Sequence, residues 1–270
     1  MDVRVLKERE ISVLRPHLGD ELFSSLGRRR HACAALPDGG LFVMVRAPET
    51  GKPVHIFLGD ALLLMVTDDQ RSGHLVRELK SATPLEALHD FLEALTGDDA
   101  EKLERIEDTV TELEDELLTS KRPVKGIGSR IVALRRKLLS MKRHYEQFAL
   151  VAGELADDLA GALPPEQFRR FQALRRHAEW LLAFVLHLRD YVTQVREAYQ
   201  AQIDIEQNQI MKIFTVLTAV FLPLSLIVGW YGMNFEMPEY RWELGYAFVI
   251  LLSAAVCVFC IWFFRRKRWF

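Results

Sequence analysis

The chain has 270 residues, 35 basic against 37 acidic side chains and a hydrophobic fraction of 50%, averages that would suit a soluble protein of one or two domains. Their distribution excludes that class. Residues 213–231 and 244–264, stretches of 19 and 21 residues, contain no charged side chain, and each is long enough to cross a hydrocarbon core of about 30 Å at roughly 1.5 Å per helical residue. No other run of that kind precedes them, which excludes a many-span carrier, and the near-neutral charge gives no signature of a nucleic-acid partner. Three cysteines, Cys33, Cys257 and Cys260, cannot build a disulfide framework. Charged side chains are interleaved through Met1–Glu10 without an apolar core, so no cleavable signal peptide is visible and the N-terminal two-thirds is expected in the cytoplasm.

In chain order, four apolar runs, His31–Leu36, Leu41–Ala47, Val54–Leu58 and Leu62–Thr67, are separated by Pro37-Asp38-Gly39-Gly40, residues 48–53 and Gly59-Asp60, and predict four short strands in a mixed sheet. Leu75, Leu79, Leu85, Leu88 and Leu92 then keep helical spacing, with Thr83 and Pro84 as N-cap and first-turn residue of the second of two helices. Residues 1–97 are therefore expected to form a small cytoplasmic α+β domain.

Two amphipathic helices follow over residues 98–164. Leu103, Ile106, Val110, Leu113 and Leu117 form one apolar stripe, and Ile131, Leu134, Leu138, Met141, Tyr145, Phe148, Ala152 and Leu155 the other, about a turn at Pro123–Gly128. The first arm carries ten acids and two bases between Asp98 and Glu116, and the second nine bases and no acid between Lys121 and Arg143. An antiparallel hairpin would lay these arms together and neutralise them, a blander account of the basic arm than a membrane-surface or nucleic-acid patch. Phe171, Leu174, Ala178, Leu181, Val185, Leu188, Val192, Val195 and Tyr199 continue the three-four spacing through residues 165–230, where no glycine precedes Gly229 and no interior proline precedes Pro223. One all-α stalk helix is predicted to run into the first membrane span, roughly 100 Å at 1.5 Å per residue.

A loop over 231–243 carries Glu236, Glu239 and Glu243 against Arg241 alone, and the second span, 244–264, is followed by a basic tail, 265–270, that opens with Arg265-Arg266-Lys267-Arg268. The bias of basic residues puts the C-terminus, and with two spans the N-terminus too, on the cytoplasmic side. Trp230, Tyr231, Tyr240, Trp242, Trp262 and Trp269 fall near the span ends, where amphipathic rings settle at headgroup depth. Two helices cannot enclose a water-filled path, so transport demands several copies about an axis. Glu197, Ala201, Asp204, Asn208, Met211, Phe214, Thr218, Leu222 and Ser225 share one helical stripe. It offers a carboxylate entrance, an amide ring, a hydrophobic constriction and a hydroxyl ring. Hydroxyls bonded within the helix, with Met211 and Phe214 facing lipid, would explain the same pattern.

Tyr231-Gly232-Met233-Asn234 at the end of the first of two C-terminal spans, Phe235-Glu236-Met237-Pro238-Glu239 after it, and the ending Lys267-Arg268-Trp269-Phe270 resemble the CorA family of divalent-cation channels. The resemblance implies a funnel-shaped homopentamer of the inner membrane, passing Mg²⁺ with Co²⁺ and Ni²⁺ as companions. It implies a selectivity filter of Gly232, Met233 and Asn234, with Asn234 receiving the hydrated ion and Asn208 as the inner metal-contacting ring. Met211 and Phe214 would be the gate, and Ser225 would replace a threonine. Mg²⁺ surrenders its waters reluctantly, so neutral amide carbonyls suit it as outer-sphere partners. Two departures stand out. The outer loop is one residue shorter than the family's usual form, and Phe171-Gln172-Ala173-Leu174-Arg175-Arg176-His177 lacks the carboxylates with which many members bind a regulatory ion between subunits. Weakened closure by cytoplasmic Mg²⁺ is expected.

Other signals have blander readings. Cys257 and Cys260 are two small apolar residues of a span, Glu86 to His89 is half of a di-iron pattern that needs two copies, and Arg28-Arg29-Arg30-His31 is a solvated strand edge. No phosphate-binding loop or paired nucleophile is present, so neither enzymatic chemistry nor a cofactor is expected. Two rivals to the Mg²⁺ channel stay open: a zinc transporter of the same architecture, perhaps proton-coupled, and a non-conducting membrane-anchored scaffold.

Overall fold

A computed structural model describes residues 2–26, 32–36, 38–48, 50–120, 125–158, 165–234 and 242–267. The chain divides into two compact units, Met1–Ser120 with Val124–Glu197, and Lys121–Pro123 with Ala198–Phe270.

The first unit is organised by a five-stranded mixed sheet of β1 (Asp2–Leu6), β2 (Ala32–Ala35), β3 (Leu41–Arg46), β4 (Pro53–Leu58) and β5 (Leu62–Thr67), in the order β1-β5-β4-β3-β2. β1 runs parallel to β5 and the other neighbours are antiparallel. Because strand side chains alternate between faces, the register Val43–Ile56–Met65 puts one apolar row on one face and Phe42–Phe57–Leu64 puts another on the opposite face. Both rows are buried, so the three middle strands read as nearly continuous apolar runs. The Phe42 face is covered by Leu14, Leu18 and Leu26, from a 3₁₀ turn (Glu8–Leu14) and α1 (Arg15–Ser25) with the residue after it. Neither β1 nor α1 stands among the four predicted strands and two predicted helices. β1 is a charge-bearing edge whose Arg4 pairs with Asp2 at 2.8 Å, and α1 contains Gly19 at φ 72°, a non-helical break that erases its periodicity.

The Val43 face packs on α2 (Gln70–Glu78), α3 (Pro84–Thr96) and parts of α5 (Ile127–Asp158) and α6 (Pro165–Tyr231), through Val76, Leu88, Leu92, Phe148, Leu155, Phe171 and Leu174. α3 starts where the sequence places it. The Glu86 amide donates to the Thr83 hydroxyl at 3.2 Å, the Thr83 amide donates to the Glu86 carboxylate at 3.3 Å, and Pro84 opens the helix without wasting an amide.

α4 (Asp99–Thr119) lies antiparallel to α5 and parallel to α6, as the pairs Glu116–Arg130, Glu107–His187 and Glu114–Tyr191 require. The apolar stripes meet inward: Leu103, Ile106, Val110 and Leu113 are buried, as are Ile131, Leu138 and Tyr145, and Leu181, Val185, Leu188 and Val192. The expected meeting of the acidic and basic arms is seen at Arg130–Glu116, 2.7 Å apart. Glu101, Glu104, Asp108, Glu112 and Asp115 are exposed, whereas Asp99 is buried beside His144 and Tyr145 of α5.

Two histidines are held neutral in this unit. The ring of His144 packs against Tyr145 and Phe148, and burial, aided by Lys102 and opposed by Asp99, pushes its pKa down to about 4. His55 is 3% exposed beside Phe42, and burial and then Arg46 likewise lower its pKa to about 4. An unfolded histidine titrates near 6.5, so the unfolded chain binds more protons between these values. The stabilisation is complete above the unfolded pKa and falls as pH drops toward the folded one, by up to about 2 kcal/mol per histidine near pH 5. Thermal unfolding of the detergent-solubilised protein should therefore shift to lower temperature between neutral pH and about pH 5, and His144→Gln should reduce that shift.

Candidate functional site

The second unit contains the C-terminal part of α6 and α7 (Gly245–Arg266). Both helices are long and apolar enough to cross a membrane, and 6% and 0% of their most apolar windows are buried by the chain itself. A core helix of a soluble protein would be covered; these require lipid or further copies. Arg265 and Arg266 close α7, with Arg266 over the Trp262 ring at 5.4 Å, where cations favour both the carboxyl end of a helix and an aromatic face.

α6 meets α7 on one side. Val216 is 8% exposed, and the Cys260 thiol donates to the Ala219 carbonyl at 3.6 Å. That carbonyl needs an outside donor because Pro223, one turn later inside α6, has no amide proton to give it. Cys260 is therefore more than a small apolar residue. Spacing with Cys257 suggests a metal pair, whereas its partner is the orphan that proline creates 41 positions away, which only the helix contact reveals.

On the other faces the stripe is uncovered. Glu197, Ala201, Asp204, Asn208, Met211, Phe214, Thr218, Leu222 and Ser225 are all exposed, with Met211 at 64%, Phe214 at 60% and Leu222 at 71%. Thr218 donates its hydroxyl proton to the Phe214 carbonyl at 2.8 Å, so the helix uses the donor and leaves the oxygen lone pairs outward. A hydroxyl in this state accepts from water and cannot donate outward. Within one chain the stripe is a line along a single helix. Asn208 and Asn234 are not brought together, being separated by 26 positions, or roughly 39 Å of helix.

α6 ends at Tyr231. The Gly232 amide donates to the Val228 carbonyl at 2.9 Å and the Met233 amide to Trp230 at 3.3 Å. A Cβ at Gly232 would lie 2.9 Å from the Val228 carbonyl oxygen. The glycine is there for close backbone approach, since its φ is not in the left-handed region. Met233 and Asn234 follow, both exposed. Glu243 is exposed just before α7. Glu236 and Glu239 lie outside the described residues, as do Arg28-Arg29-Arg30-His31, Tyr240, Arg268 and Trp269.

Elsewhere, Glu86 is occupied by the α3 cap, while His89, Asp90 and Glu93 bring ligand-type atoms within 4.8 Å of one another. Asp90 is already held by Arg170 at 2.6 Å and Ser81 at 2.7 Å. Burial opposes its ionisation, but the bonds from Ser81, His89 and Arg170 keep the carboxyl below the usual range. In Phe171–His177, Phe171 and Leu174 are core residues, and Arg175 pairs with Glu179 at 2.9 Å and Asp157 at 3.2 Å.

If Cys260 serves the Ala219 carbonyl, Cys260→Ala should lower the thermal stability of the detergent-solubilised protein by about 1 kcal/mol, the worth of one intramolecular hydrogen bond. Cys260→Ser should retain it, and equal losses in both variants would assign the residue to packing alone.

A family model described as CorA-like Mg²⁺ transporter protein matches residues 42–266. The cobalt/magnesium transport protein CorA of Thermotoga maritima is 31% identical over 183 residues, covering 67% of this chain and 52% of that protein. The magnesium transport protein CorA of Salmonella typhimurium is 33% identical over 192 residues, covering 69% and 56%. The chain spans about half the length of these curated relatives. The complete structure of the CorA magnesium transporter from Methanocaldococcus jannaschii has a TM-score of 0.78 at 22% identity, covering 98% of this chain and 90% of that one. The likeness is one of fold: a sheet-containing domain, a long helix and two C-terminal apolar helices.

Proposed function

This chain belongs to the CorA-like Mg²⁺ transporter family, whose model it matches over residues 42–266, and from that premise we propose that it is a passive homopentameric channel for divalent metal cations. The observation that carries the reading is the uncovered stripe of α6, polar at its start and apolar in its middle, which leads to Tyr231-Gly232-Met233-Asn234. Copies arranged around an axis would turn each stripe residue into a ring.

In this reading Asn234 offers amide carbonyls to the waters of a hydrated ion, and Gly232 lets the chain leave α6 tightly enough to hold it there. Mg²⁺ suits such a filter because it keeps its hydration shell, and a neutral ring binds it weakly enough to release it. Glu236, Glu239 and Glu243 concentrate cations at the outer mouth. Ser225 and Thr218 present hydroxyl oxygens to the waters of the ion. Leu222, Phe214 and Met211 form a constriction that closes by dewetting, and Asn208, Asp204 and Glu197 receive the ion on the cytoplasmic side. Mg²⁺ is the expected cargo, with Co²⁺ and Ni²⁺ as companions, since no histidine or cysteine stands in residues 231–243 to favour zinc. The protein would lie in the inner membrane with both termini in the cytoplasm. Phe171–His177 supplies core contacts and the Arg175 ion pairs, so closure by cytoplasmic Mg²⁺ at that stretch is weak.

Asn234→Ala tests the filter. Mg²⁺ uptake should be lost or lose its selectivity while the native mass of the assembly is unchanged. Selective uptake at the parent rate would remove Asn234 from the filter, and a scaffold that does not conduct would show no uptake in the parent protein either.

A further inference from the structure

The outward charges of the hairpin are arranged on two separate faces. On α4, Glu101, Glu104, Asp108, Glu112 and Asp115 step by three and four and are all exposed, diametrically across the helix from the buried Leu103, Ile106, Val110 and Leu113. Glu101 lies 3.7 Å from Arg105 of its own helix; the other four make no ion pair among the described residues. Between α5 and α6, with no α4 residue in its lining, a cavity of about 270 Å³ is lined by Arg135, Arg136, Arg189 and Thr193 with Val132, Leu138 and Leu139. None of the three arginines has an ion-pair partner among the described residues. Val132 and Leu139 are left 47% and 40% exposed.

Unbalanced guanidinium groups over an exposed apolar floor are a poor surface for a free protein and a good one for a contact that brings carboxylates and excludes water. The same chain carries a row of carboxylates of opposite sign on a different face. We propose that the α4 acidic ridge of one copy seats in the Arg135–Arg136–Arg189 groove of the next. Ridge and groove are different surfaces, so the contact is heterologous, and a heterologous contact repeated by rotation closes a ring, including one with an odd number of members. Any single exposed pair contributes little; the apolar floor and the row of charges give the contact its strength and its register. The inference rests on the self-assembly proposed above and names the cytoplasmic surfaces that hold it.

Inter-copy cross-linking tests it in the full-length, detergent-solubilised protein, in a background of Cys33→Ala, Cys257→Ala and Cys260→Ser. With Asp108→Cys and Arg136→Cys in one chain, a short bis-maleimide should give a ladder of covalent multimers. Either cysteine alone should not. Adding Arg135→Glu and Arg189→Glu should lose the ladder, and adding Glu104→Arg and Glu112→Arg to that chain should restore it. An oligomer of unchanged native mass that gives no ladder would overturn the contact and leave assembly standing. A chain that stays monomeric throughout would overturn assembly and contact together. If inorganic phosphate binds the parent but not the Arg135→Glu, Arg189→Glu variant, and no ladder forms, the groove is an anion site and the proposal is wrong.

Discussion

Everything in the second unit depends on one constraint: a pair of helices cannot cover itself. α6 and α7 meet along one line, at Val216 and at the Cys260–Ala219 hydrogen bond, and their remaining apolar surface stays bare. Hydrocarbon can cover Ile213, Leu217 and Phe221 without cost. It cannot cover Asp204 and Asn208, which need water or polar partners. The same helix therefore passes from a polar part that needs water, at Asp204 and Asn208, to an apolar part that needs lipid or further protein, from Ile213 on.

The first unit solves the opposite problem. Its sheet is buried on both faces and its three long helices seal an apolar seam, leaving charge as the main content of its surface. Because the seam takes mostly apolar side chains, with Asp99 beside His144 and Tyr145 as the buried acid of α4, acids such as Glu101, Glu104 and Asp108 stay exposed. The buried stripes that stabilise the chain and the exposed charges open to other contacts are thus different residues of the same helices.

Much of this is legible in the sequence, for identifiable reasons. The three-four spacing of α4 to α6 survives because each helix buries one stripe, and Thr83-Pro84 marks its helix start because a cap is a local interaction. The stripe from Glu197 to Ser225 can be read without the fold, since helical geometry alone defines it. What escapes the sequence is non-local. β1 is recognisable only through its pairing with β5, α1 is broken by Gly19, and the hydrogen bond from Cys260 answers a proline on another helix. Which face of α4 meets which face of α5 is likewise a packing outcome, and composition alone does not show that Asp99 is buried while Glu101, Glu104 and Asp108 stay exposed.

Dication flux into liposomes containing the purified protein and a trapped indicator, with Mg²⁺ and Zn²⁺ compared in the presence and absence of an imposed proton gradient, tests the central claim most directly. A passive path for a hydrated hard cation predicts Mg²⁺ entry at a rate indifferent to the proton gradient. Zn²⁺ entry that depends on the gradient, with no Mg²⁺ entry, would contradict it.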